Sequence, residues 1–195
     1  MSQPTISLVL TTIGRPSLRQ SLQSVCQQEL IDGDELLLVD DSGESLAKEL
    51  VVGLSLPCRY ISTPLLGSWG HAARNYVLDN RLPKGDLIYS LDDDDTLEPN
   101  AFTSIRQAAQ HSPGRPLLFQ MRCALSGPNG IPVTALRWDR REVMRCNVGT
   151  GMFCFPNDGN WGRFGTDHQG DCDFIRETIL RHGGEPVWCE QVIYN

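Results

Sequence analysis

No CxxC pair occurs in this sequence, no lysine follows Lys84, and no apolar run is long enough to span a bilayer. The first absence argues against structural zinc, and the second excludes any reaction that needs a lysine late in the chain. The third, together with the lack of a basic stretch followed by an apolar h-region at the start, predicts a cytoplasmic, unanchored protein with no membrane segment. Positive charge is also scarce. A formal net charge of -7 and a pI near 5.0 speak against a broad nucleic-acid or anionic-membrane surface and leave room only for a local basic groove. The seven cysteines are odd in number and mostly embedded in apolar runs, which fits reduced, buried thiols better than a disulfide framework. Internal repeats and low-complexity segments are absent.

What is present is one core's worth of apolar residues, 40% of 195, spread along the chain, so a single domain is expected. Residues 6–12 form a β-rich run that ends at Gly14-Arg15-Pro16, and Leu18, Leu22, Val25 and Cys26 follow at helical spacing. Residues 35–39 are a continuous apolar strand ending in Asp40-Asp41, the pattern of a parallel sheet buried on both faces. A short helix carrying Leu46, Leu50 and Val51 comes next, then a strand over 58–61. The Gly-rich loop 66–70 leads into a helix with Ala73, Tyr76 and Val77 on one side, and Arg74 one turn in suits an anion. After a strand over 86–91, a helix carries Ala101, Phe102, Ile105, Ala108 and Ala109. Strand-like runs at 117–122 and 133–138, joined by a turn at 127–130, add antiparallel structure. Residues 147–156 read as a loop feeding a buried strand. Phe174, Ile175, Thr178 and Ile179 mark a helix ended by Gly183-Gly184, and 186–194 is a last strand.

Chemistry concentrates where apolar segments meet carboxylates. The strand 86–91 runs into Asp92-Asp93-Asp94-Asp95, where folding alone gains nothing from four like charges. If the strand continued, Asp92 and Asp94 would share one face and Asp93 and Asp95 the other. A divalent cation is the simplest partner for them; an acidic surface turn, or a cap for a helix starting near Pro99, is the plain alternative. Asp40-Asp41 and the trio Asp167, Asp171 and Asp173 form two more clusters. In an open α/β sheet, ligands sit beyond the carboxyl ends of the strands, so the first two clusters should share a crevice.

The order of these features resembles a GT-A-fold glycosyltransferase of the family 2 type. It comprises a first strand ending in Thr11-Thr12, then Leu38-Val39-Asp40-Asp41-Ser42-Gly43, Gly70 followed by Arg74-Asn75, Leu91 with the four aspartates, and Gly170-Asp171-Cys172-Asp173-Phe174. The resemblance covers roughly residues 5 to 180. It implies an α/β fold, a mostly parallel sheet flanked by helices with a small antiparallel addition in the C-terminal half. Residues 1–195 would form one catalytic domain, with a nucleotide-binding half over about 1–98 and an acceptor-side half over about 99–195. It further implies metal-dependent, inverting transfer of a sugar from a nucleotide-diphospho-sugar, a UDP-sugar by family analogy, to an acceptor hydroxyl. Asp41 resembles the carboxylate that meets the nucleotide base, with Thr11 and Arg15 in the loop wrapping it. Arg74 is similar to the arginine at the diphosphate. Asp92-Asp93-Asp94 looks like the DxD motif, with Asp94 as ligand to Mn²⁺ or Mg²⁺ and Asp92 and Asp93 holding ribose or metal-bound water. Asp171 takes the place of the general base.

The chain departs from the family at Gly170, where a Glu is usual, so Asp173 or Asp167 stays open as the base, and Asp171 as a helix cap. His71, His168 and His182 are candidates for a metal or sugar contact. Trp69, Trp138 and Trp161 are candidates for stacking on a ring, with core packing as the alternative. The acceptor is unassigned, and a homo-oligomer could help hold it. Two rivals are weighed beside the transferase. One is a nucleotide-sugar or carbohydrate-binding module that keeps the fold. The other resembles a haloacid-dehalogenase-type phosphatase reading Asp92-Asp93-Asp94-Asp95-Thr96 as DxDxT, with Asp92 as nucleophile and Asp94 as acid/base. The missing late lysine and the three strands ahead of the motif argue against the phosphatase.

Overall fold

In a computed structural model of the chain, residues 2–52, 54, 56–126, 132–137 and 140–195 are described. The first strand, β1 (Ile6–Thr12), is buried along its whole length, as its unbroken apolar character predicts. It leads into α1 (Leu18–Cys26), which buries Leu18, Leu22 and Val25 on one face. β2 (Glu35–Asp40) and β3 (Cys58–Ser62) follow, then α2 (His71–Asp79), β4 (Leu87–Asp92) and α3 (Ala101–His111). The four strands lie side by side in the order β3-β2-β1-β4, all parallel. Their register brings the strand ends level, with Thr11 opposite both Val39 and Asp92, and Thr12 opposite Asp40.

The second half holds β5 (Leu117–Ser126), β6 (Pro132–Arg137), β7 (Phe153–Pro156), α4 (Gly170–Arg181) and β8 (Val187–Tyr194). β7 bridges the halves by pairing antiparallel with both β4 and β5. β6 runs antiparallel to β5, and β8 returns parallel to it. The described strands thus form one mixed sheet, parallel through β3-β2-β1-β4, antiparallel at β7 and β6, and parallel again where β8 joins β5, which is the expected α/β class. The turn read at 127–130 and Trp138 lie outside the described residues.

A core of phenylalanines joins the sheet to α4. Phe153 and Phe155 on β7 meet Phe174 edge-on, and Phe164 stacks flat on Phe174 with ring centroids 3.9 Å apart. α4 ends where Gly183 and Gly184 take positive φ, and the Gly184 N–H donates to the Ile179 carbonyl at 2.9 Å. Three details differ from the sequence reading. β4 ends at Asp92, so strand alternation does not carry through the acidic run. Tyr76 is 42% exposed, because the stripe α2 buries, His71, Ala73, Arg74, Val77 and Leu78, is turned away from it. The segment read as a short helix is a single tight turn over Lys48–Val51, and Leu46 ahead of it is exposed.

Candidate active site

The level strand ends open a cleft of about 630 Å³. The acidic run enters it already divided. Asp93 is buried and tied back to the loop after β1, accepting hydrogen bonds from Thr12 Oγ1 at 2.6 Å and the Ile13 N–H at 3.4 Å, with Arg15 at 3.3 Å. Asp92 and Asp94 keep their carboxylates open to the cleft, 44% and 57% exposed. Asp92 is paired with Arg74, and Asp94 with Arg15 at 2.8 Å. Asp95 is half-buried. Burial first, and then the charges of Asp92 and Asp94, push its carboxyl up to about 8, so it holds a proton at neutral pH. The segment beyond is fixed to the end of β8: the Thr96 N–H donates to the Asn195 carbonyl at 2.9 Å, and the Glu98 N–H donates to the Ile193 carbonyl at 2.8 Å.

Arg74 is buried on α2. Its guanidinium also reaches the Trp69 carbonyl at 3.4 Å and lies 5.8 Å from the Phe164 ring centre, while its Nε has no partner. The approach to it depends on Gly70. That residue takes φ +77°, and a Cβ there would sit 2.8 Å from Thr11 Oγ1 and 3.0 Å from Arg74 Nη1. Asp41 is buried in the cleft wall and orders the loop that leads to α2. It accepts from Thr63 Oγ1 at 2.8 Å, the Leu66 N–H at 2.8 Å and the Gly67 N–H at 2.9 Å. Its neighbour Asp40 points away from the cleft; burial raises its carboxyl, but hydrogen bonds from Ser42, Ala47 and Tyr60 outweigh this and leave it below the ordinary value.

Asp171 comes from the first turn of α4, on the far wall. Its Oδ1 accepts the Cys172 N–H at 2.7 Å from within the helix, whose cap position is Gln169, while a side chain on Gly149 would come within 3.5 Å of Oδ2. Burial lifts its carboxyl; the Cys172 N–H, His71 and Arg74 pull it back, Asp92 adds to the rise, and the net shift is upward. Gly170 has a steric reason. A Cβ there would lie 2.5 Å from the Gly165 carbonyl oxygen and 2.7 Å from that residue's C and N, so no Glu fits where the family has one.

All eight expected site residues, Thr11, Arg15, Asp41, Arg74, Asp92, Asp93, Asp94 and Asp171, line this one cleft. Asp167 and Asp173 do not; both are exposed, 3.9 Å from Arg145. His71 and His168 line it, His71 with Nδ1 3.1 Å from the Gly165 carbonyl and a pKa lowered by burial and then by Arg74. His182 is elsewhere, bonded to the Thr178 carbonyl and Asp158. Trp69, 62% exposed and edge-on to His168, stands at the rim; Trp161 packs edge-on against Phe155, at the core. The sequence reading missed Thr12, Gly149 and Tyr194 as cleft residues. The Gly149-Thr150-Gly151 triplet was a signal, because a Cβ on Gly151 would strike the Tyr194 ring at 2.7 Å. Tyr194 itself had none, being brought in by long-range pairing.

Among the described residues, no three His, Cys, Asp or Glu side chains form a ready metal cage. The donor set does fit a hard cation of the Mg²⁺ or Mn²⁺ kind, which takes one or two carboxylates and completes its shell with water and phosphate oxygens. The exposed Asp92 and Asp94 are such carboxylates, each open to the cleft beside an arginine. No helix of the described residues is long and apolar enough to cross a membrane.

Comparison with known proteins places this geometry. The family model described as glycosyl transferase family 2 matches residues 7–130. An uncharacterized glycosyltransferase of Mycoplasma pneumoniae, the MG060 homolog, is 36% identical over 75 residues, covering 36% of this chain and 24% of that protein. The crystal structure of S. aureus TarS 1-349 in complex with UDP superposes with a TM-score of 0.73 at 17% identity, over 97% of this chain and 59% of that one. The same protein in complex with UDP-GlcNAc gives 0.73 at 16%, over 98% and 57%. At such identity the likeness is one of fold. The chain spans about a quarter of the curated relative and under 60% of the TarS chains.

Proposed function

The chain belongs to glycosyl transferase family 2, and from that premise we propose that it moves a sugar from a UDP-sugar to an acceptor hydroxyl with inversion, aided by a divalent cation. The observation that carries this reading is the facing of two charge patterns across one cleft: Asp92, Asp94, Arg15 and Arg74 on the strand side, Asp171 on the α4 side. Breaking the bond between the sugar C1 and the diphosphate oxygen sends the electron pair to the diphosphate. Arg74, held by the Trp69 carbonyl and Asp92, is positioned to meet that growing charge. Mn²⁺ or Mg²⁺ would be held by Asp94 with Asp92 beside it, and would supply charge compensation for the diphosphate. The acceptor oxygen forms the new bond to C1 from the opposite side and gives its proton to Asp171, whose raised pKa makes it a stronger base than an ordinary aspartate. Thr11, Asp41 and Trp69 flank the space for the nucleoside. The TarS complexes with UDP and with UDP-GlcNAc support a uridine donor by likeness of fold.

Titration calorimetry of UDP with Mn²⁺ tests the donor side. Binding is expected to need the metal and to be lost in Asp94→Asn; unchanged affinity in that variant would sink the assignment of Asp94.

A further inference from the structure

The helix that carries Arg74 also holds the opposite wall of the cleft. Residues 71, 75 and 79 of α2 recur at intervals of four and so form one stripe along it. Each side chain is bonded to one residue of the segment 163–165, which lies along α4: the Gly162 N–H donates to Thr178 Oγ1 at 2.9 Å and the Arg163 N–H to Glu177 at 3.0 Å. Asp79 accepts from Arg163 Nη1, which is 2.8 Å from both its oxygens. Asn75 accepts the Phe164 N–H at 3.0 Å and donates to that residue's carbonyl at 2.9 Å. His71, buried, forms the third rung, with Nδ1 3.1 Å from the Gly165 carbonyl and its ring stacked on Phe164, centroids 5.4 Å apart. A carbonyl oxygen only accepts, so Nδ1 carries a proton, and it does so whether the ring is neutral or charged.

The third rung is the one that reaches the proposed base. Gly165 donates its N–H to the Gly170 carbonyl at 3.3 Å, and its own carbonyl oxygen lies 2.5 Å from where a Cβ on Gly170 would stand. Gly170 opens α4, and Asp171 follows it. The Gly165 carbonyl is therefore wedged between His71 and the first turn of α4. The other two rungs do less there: the Arg163–Asp79 pair is exposed and screened, and Asn75 stops at Phe164. Resting on the transferase reading above, we propose that His71 is a positioning residue for Asp171, fixing the first turn of α4 through the Gly165 carbonyl. α2 then sets both ends of the displacement, with Arg74 at the diphosphate and, through His71, Asp171 at the attacking hydroxyl. Direct displacement needs those ends in line across C1, and an error of about 1 Å costs about 10²-fold in rate.

The test uses the full chain with Mn²⁺, UDP-glucose, UDP-galactose and UDP-GlcNAc as probe donors, water as the acceptor and UDP release as the signal. His71→Phe keeps a ring to stack on Phe164 and loses the donor; His71→Asn puts an amide N–H as many bonds from Cα as Nδ1. The Phe variant should release UDP about 10- to 100-fold more slowly at saturating donor, while its calorimetric affinity for UDP stays within about threefold. The Asn variant should recover most of the rate. Amide exchange read by mass spectrometry should quicken over residues 165–173 of the Phe variant and not in α2. Added to Asp171→Asn, His71→Phe should cost no further rate beyond about twofold, measured in incubations long enough for the slower enzyme. Should the Phe variant not fold, His71→Leu takes its place. An unchanged rate or unchanged exchange in the Phe variant, an Asn variant no faster than it, or a loss as large in the Asp171→Asn background as in the parent chain overturns the proposal and leaves the base reading standing. No UDP release by the parent chain, or release at the parent rate in Asp171→Asn, defeats the base reading instead.

Discussion

Asp171 sits where burial raises a carboxyl above its ordinary value of 3.8 and where a base is wanted. The sign of two pH effects follows. A carboxyl whose pKa is higher folded than unfolded stabilises the fold while protonated, and that contribution is lost as pH rises through the folded value. Transfer needs the opposite form, so activity should rise over the same window. The acid limb of kcat/KM is expected above the ordinary aspartate range, and Asp171→Asn should cut transfer by about 10²–10⁴-fold while sparing UDP binding. A pH-rate profile with the limb at or below 3.8, or transfer that survives the substitution, moves the base elsewhere. The identity of the acidic residues was legible because carboxylates after apolar strands are costly to leave uncompensated. The reason for Gly170 was not, since it lies in the backbone of Gly165 crossing 2.5 Å from where a side chain would begin.

At the level of elements, the opposite end of the sheet shows what holds the cleft open. Asp34, ahead of β2, accepts the Ile6 N–H of β1 and the Ile31 N–H, each at 2.8 Å, and pairs with Arg106 of α3; both side chains are buried. Arg106 also donates to the Glu29 carbonyl at 2.9 Å and lies over the Phe102 ring. Two strands and a helix thus share one buried ion pair, at the start of β1 where the cleft is at its end. Removing one partner of such a pair strands the other charge without water. Arg106→Met is expected to cost about 3–5 kcal/mol in urea denaturation. UDP affinity, measured where the variant is still folded, should be unchanged. A loss below about 1 kcal/mol would mean that Asp34 is satisfied by its two backbone donors alone. No local pattern announced this pair: Asp34 reads as a turn residue, and Arg106 interrupts the apolar face of α3. Burial of charge is decided by packing between distant segments. Most strands and helices were legible from periodicity; Tyr76 was misplaced because α2 turns the polar His71 and Arg74 inward, and an apolar pattern does not show buried polar residues.

Across the whole molecule, the chain changes grammar once. β-α alternation builds the parallel half up to α3, and antiparallel pairing through β7 then carries the sheet on to β5, β6 and β8. The first half could be read in order because each strand is an apolar run followed by its own turn or helix, even though β1 pairs with the distant β4. The return of β8 beside β5 brings Tyr194 into the cleft and Asn195 against Thr96, joining segments distant in the chain, and leaves no trace in either. That closure makes the cleft a property of the folded molecule, so a ligand bound there should stabilise all of it. With UDP and Mn²⁺ at 100 times the dissociation constant, linkage supplies about 2.7 kcal/mol. For a domain of this size each kcal/mol moves Tm by about 2–4 °C, so a rise of about 5–10 °C is expected. The protein carries a net charge of -7 and the ligand is an anion, so binding depends on local cations: Arg15, Arg74 and the metal. Chelation with EDTA should therefore remove most of the shift, and higher salt should reduce it more gradually. A full shift that persists under EDTA would show that the arginines bind the diphosphate alone, and would overturn the role proposed for the cation.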